Sequence, residues 1–172
     1  MESEKEIVNR VASSSLKVFD LEELYIPGER VLVDIKDQLY QGMILREKPF
    51  RDFVKTHDWS QYNGKFVAVT CSEDAIIPTW AYMLIASSLQ PYAREIVFGD
   101  LRDLEKKIFF DVLAKLDWEV YRDAKVVIKG CSKVDVPLSA YVEATRRMRT
   151  VAASIMFGEP CSTVPVFKKS KV

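Results

Sequence analysis

The sequence predicts an α/β fold, a single domain on a mainly parallel sheet of four or five strands with helices on both faces. Two observations predict it. Short apolar, β-branched runs recur at Phe66–Thr70, Glu95–Phe98 and Lys125–Lys129, and each is followed by a helical stretch opening near Pro78, Leu101 or Pro137. Strands alternating with helices close through right-handed crossovers, which makes the sheet parallel.

Taken in order, residues 4–24 read as a short helix, with Ile7, Val8, Val11 and Ala12 on one face, a Ser13-Ser14-Ser15 break and a lead-in segment. After Pro27-Gly28, the alternation of Val31, Val33 and Ile35 with Arg30, Asp34 and Lys36 predicts a half-buried strand. Residues 39–45 are apolar but interrupted by Gly42, and Glu47–Thr56 carries helical spacing through Phe50, Phe53 and Val54. A polar turn from His57 to Gly64 comes next, rich in residues that bond their own backbone. The helix opening at Leu101 is the most regular, with Leu101, Leu104, Ile108 and Val112 beside Phe109, Leu113, Leu116 and Val120. Residues 137–157 read as helical, and a three-thiol site requires that helix to break near Arg149 to Val151 and fold back, or a homodimer in which a partner supplies Cys161. The run from Val164 to Lys168 reads as an edge strand, where Pro165 is tolerated. Thus 1–64 is the less regular part of one domain, 65–157 holds regular strand–helix units, and 158–172 is a cysteine-containing loop with an edge strand.

Composition narrows the function. The 172 residues carry 25 basic and 25 acidic side chains, and this balance argues against a dedicated nucleic-acid or anionic-membrane surface. No run reaches the ~18 apolar residues of a membrane span, and the acidic start, Met1-Glu-Ser-Glu-Lys-Glu, is unlike a signal peptide. A cytoplasmic protein with reduced thiols is expected.

The chemistry-bearing residues are the thiols. Cys71, Cys131 and Cys161 are the 3 cysteines, each followed by serine and soon by proline. The first two sit in near-copies of one strand-to-helix turn, Val67-Ala-Val-Thr-Cys-Ser with Pro78 and Tyr82, and Val127-Ile-Lys-Gly-Cys-Ser with Pro137 and Tyr141. Cysteines at the carboxyl ends of parallel strands face a ligand crevice and the positive ends of helices, which favours the thiolate. With His57 they form a Cys3His inventory suited to zinc, while three thiols with an open position suit iron or a cluster. A strand of about seven residues spans roughly 23 Å, so His57 starts at the opposite edge from Cys71. Buried cysteines that pack as small hydrophobes are the structural alternative. Glu73, Asp74 and Asp100 fall at the same edge, where they serve as acid–base groups or as helix caps. Arg146, Arg147 and Arg149 with Lys168, Lys169 and Lys171 form either a phosphate-binding patch or a solvated face.

The segments from Val67 to Met83, Val126 to Ser132 and Met156 to Val166 resemble the signature segments of an uncharacterised bacterial family catalogued as domain of unknown function twenty-four eighty. The resemblance implies a genomic setting beside iron–sulfur cluster assembly components, and so assembly proteins as partners. It brings forward the three cysteine segments and adds no catalytic residue. The expected function is a metal-binding or sulfur-handling accessory protein holding zinc or iron. The alternatives are a small-molecule enzyme with an activated cysteine nucleophile and an interaction module with structural thiols.

Overall fold

A computed structural model describes residues 16–130 and 133–170. In chain order the strands and helices are β1 (Leu16–Asp20), β2 (Arg30–Asp34), β3 (Leu39–Tyr40), β4 (Ile44–Leu45), α1 (Glu47–Thr56), β5 (Phe66–Thr70), α2 (Thr79–Leu89), β6 (Glu95–Phe98), α3 (Leu101–Lys115), β7 (Lys125–Lys129), α4 (Leu138–Met148), β8 (Ser154–Glu159) and β9 (Ser162–Lys168). Short 3-10 turns cover Leu21–Leu24, Lys36–Gln38, Trp59–Tyr62 and Trp118–Tyr121. The chain divides into two compact units, residues 26–111 and residues 1–25 with 112–172.

The unit of residues 26–111 holds the three-stranded sheet β2-β5-β6, parallel throughout. Strand β5 is buried at Phe66, Val67, Ala68 and Val69, as the central strand of a parallel sheet must be. Helices lie on both of its faces. Val67 and Val69 pack with Phe50 and Val54 of α1 and with Ala81, Ile85 and Leu89 of α2, while Phe66 and Ala68 pack with Leu104 and Ile108 of α3. Ile85 is fully buried, and its truncation to Ala should cost ~2–5 kcal/mol. Gly42 marks a tight hairpin: Gln41 and Gly42 both take positive φ between antiparallel β3 and β4.

The other unit holds the four-stranded sheet β1-β7-β8-β9. Its first three strands are parallel and β9 returns antiparallel to β8. The expected single sheet of four or five strands is therefore corrected to two main sheets, one purely parallel and one mixed, beside the β3–β4 hairpin. Residues 16–24 are a strand and a 3-10 turn, not a lead-in, because β1 finds a full parallel ladder on β7. The expected helix face at Ile7 to Ala12 lies outside the described residues. The expected long helix ends at Met148, immediately before the expected break at Arg149 to Val151. Beyond the break the chain forms no second helix. Ser154 to Glu159 form β8, which finds a parallel ladder on β7 and buries Ile155 completely.

The two units repeat one pattern at a constant offset of 59 residues. Asp58-Trp59 and Tyr62 recur as Asp117-Trp118 and Tyr121, Val67 as Val126, Pro78 as Pro137, Ala81-Tyr82 as Ala140-Tyr141, and Phe98-Gly99 as Phe157-Gly158. Each copy runs from a capped 3-10 turn into a parallel strand, a proline-led helix and a second parallel strand. The chain also supplies each sheet with an upstream partner strand ending in aspartate, β2 with Asp34 and β1 with Asp20.

Candidate functional site

At the carboxyl edge of β2-β5-β6, Asp34 ends β2 and its Oδ1 accepts the backbone N–H groups of Lys36 at 3.0 Å and Ser72 at 3.1 Å. Burial pulls the Asp34 carboxyl up. Hydrogen bonds from Ser72 and Lys36 outweigh it and hold the group below the usual carboxylate range. Cys71 is the first residue past β5; it is half-buried against the core and its Sγ donates to the Glu73 carbonyl at 3.7 Å. Tyr82 stands near both: burial raises its hydroxyl pKa, and the neighbouring Cys71 and Asp34 add to the shift. Its ring meets Phe98 edge-on at 4.9 Å. Asp100 caps α3, its Oδ1 accepting the N–H groups of Arg102 at 2.8 Å and Asp103 at 2.9 Å.

His57 stands at the other end of β5, roughly 17 Å away by strand length. Its Nε2 lies 3.2 Å from the Tyr62 hydroxyl and 3.1 Å from Gln61 Nε2, and its ring sits 4.5 Å from that of Trp59. The local sequence puts it there as the residue that closes α1 before the Asp58-capped turn.

At the carboxyl edge of β1-β7-β8, Asp20 ends β1, accepts the Glu22 N–H at 3.0 Å and pairs with Lys129 Nζ at 3.1 Å. Lys129 also reaches Glu159 at 3.9 Å, and Asp20 first, then Glu159, raises its pKa. Gly130 follows with φ 137°, a conformation that strains any side chain, and a Cβ there would crowd Leu21 Cβ at 3.1 Å and the Glu22 nitrogen at 3.2 Å. Cys161 is exposed at the tip of the β8–β9 hairpin, between the paired Glu159 and Ser162. Because β8 runs parallel to β7, this tip lies at the edge where β7 ends. A cavity of about 720 Å³ opens there, lined by Gly130, Tyr141, Phe157, Leu138, Lys133 and Asp135 among others.

Cys71 thus belongs to one unit and Cys161 to the other, and Cys131 lies outside the described residues. The 59-residue register adds a correction: Gly130 stands where Cys71 stands, and Cys131 matches Ser72. Cys71 and Cys131 are therefore neighbours of equivalent positions, one step apart in the turn, and not copies of one site. Among the described residues, no three of His, Cys, Asp or Glu are grouped as metal ligands are.

Sequence reasoning missed Asp20 and Asp34. The signal was present, since each ends an apolar alternating run and is followed by a large aliphatic residue, Leu21 or Ile35, that is almost completely buried. The basic residues near the end of α4 are engaged locally. Arg146 and Arg147 bind Glu143, and Arg149 lies 3.8 Å from the centre of the Phe167 ring.

No curated protein and no solved structure matches the chain. A family model described as "Protein of unknown function (DUF2480)" matches residues 5–169, which covers both units and all three cysteine segments, so the chain belongs to that family.

Proposed function

We propose that this chain is a metal-binding or sulfur-handling accessory protein whose thiolate centre uses Cys131 and Cys161 at the carboxyl edge of β1-β7-β8. One observation carries the reading. Strand β8, expected as helix, runs parallel to β7 and brings the hairpin bearing Cys161 to the edge that β7 leaves two residues before Cys131. Asp20 and Glu159, which share Lys129, put carboxylate oxygens at that edge, and thiolate with carboxylate suits zinc or iron. His57, held by Tyr62 and Gln61, takes no part. Iron–sulfur assembly proteins are the partners that the family resemblance suggests, and the cytoplasm the compartment. Elemental analysis of protein purified without a histidine tag tests it: about one equivalent of zinc or iron per chain is expected. Metal-free protein whose thiols also carry no added sulfur would overturn it.

A second reading has one observation in its favour. Cys71 stands with Asp34 and Tyr82, a thiol beside a carboxylate and a hydroxyl, as a cysteine nucleophile would. Loss of a thiol-dependent activity in C71S but not in C131S would favour it.

A further inference from the structure

The cavity beside Gly130 is lined, among the described residues, by groups with a chemistry of their own that is not sulfur chemistry. Its volume of about 720 Å³ lies within the ~300–1,000 Å³ of small-molecule sites. Its walls are mainly apolar and aromatic, with the Tyr141 and Phe157 rings 5.9 Å apart and edge-on. Among the described residues, two charges line it, Lys133 and Asp135. Lys133 spends only its backbone N–H, on Glu22, and neither its ammonium nor the Asp135 carboxylate has a hydrogen-bond or ion-pair partner among the described residues. One unpaired cation and one unpaired anion beside an aromatic wall match a ligand with the opposite pair and an apolar body.

We propose that this cavity binds a small zwitterion, an α-ammonium carboxylate with an apolar side chain. Lys133 takes the carboxylate, Asp135 takes the ammonium, and Tyr141 with Phe157 covers the side chain. The internal repeat sharpens the assignment. In the 59-residue register Asp74 and Ile76 stand where Lys133 and Asp135 stand, so the other unit keeps the aromatic pair, Tyr82 and Phe98, and lacks the charge pair. The inference goes beyond the thiolate centre and does not depend on it.

The test is an NMR titration of the full chain with L-phenylalanine, L-phenylalaninamide and N-acetyl-L-phenylalanine, monitored at the Tyr141, Phe157 and Gly130 signals. L-Phenylalanine should shift them saturably and bind at least tenfold more tightly than either derivative. K133A should abolish the preference over the amide, which lacks the carboxylate, and D135N the preference over the N-acetyl compound, which lacks the ammonium. D74A in the other unit should change nothing. Lys133 and Asp135 are both exposed, so the variants should keep the wild-type spectrum elsewhere. No saturable shift, equal binding of all three compounds, or shifts confined to Tyr82 and Phe98 would overturn the assignment.

Discussion

Trp59 donates its indole N–H to the carbonyl oxygen of Val54 at 2.7 Å, and Trp118 makes the same bond to Leu113 at 3.1 Å. Each bond ties a 3-10 turn back to the end of the preceding helix, just before the strand that carries the candidate edge. Trp59→Phe should keep most of the packing and lose the bond, leaving a buried carbonyl unsatisfied at a cost of ~1–3 kcal/mol. Trp118→Phe, at a half-buried site, should cost less. Urea unfolding of both variants measures this, and equal losses would contradict the burial argument.

Glu143 makes stability depend on pH. The Arg146 hydrogen bonds hold its carboxyl down at about 2, burial opposes them, and Arg147 adds to the lowering. A depressed folded-state pKa gives stability that is fully present above the ordinary glutamate range and is lost as pH falls from about 4.5 towards about 2. Glu143→Gln should therefore destabilise the protein at pH 7 by ~1–2 kcal/mol, and the deficit should shrink across that acid window. A deficit that stays constant down to pH 2 would sink this explanation.

Gly158, next to the last residue of β8, has φ 120°, and a Cβ there would lie 2.6 Å from the Ser162 carbonyl oxygen. Gly158→Ala should strain the hairpin by ~1–3 kcal/mol. The Cys161 amide, on the same hairpin, should then exchange with deuterium faster than in the wild type. Unchanged exchange would show that the hairpin tip is not held by this approach.

Much of the framework was legible because local signals agreed with the fold. Strands β5, β6 and β7 and helix α1 have the bounds their apolar runs and helical spacing suggest. Two strands were not legible, for different reasons. Leu16-Lys-Val-Phe-Asp becomes β1 only because β7, more than a hundred residues later, offers it a ladder. Ile155 and Phe157 fit a continued helix as well as a strand in a run this short, and the turn after Met148 decides between them. The site was half legible. The repeated Cys-Ser turn drew attention to the carboxyl edges, yet matching cysteine to cysteine hid the 59-residue register by one step. Asp20, Asp34, Lys133 and Asp135 were passed over because a single charged residue in a sequence carries no sign of which edge or cavity it will meet.

The central claim is that Cys161, on the hairpin at the edge where β7 ends, acts with Cys131 in one thiolate centre. Metal content of tag-free C131S, C161S and C71S, measured beside wild type, tests this most directly. C131S and C161S should each lose most of the bound metal, and C71S, in the other unit, should keep it. Full metal in C161S with loss in C131S would make Cys161 structural and contradict the shared centre.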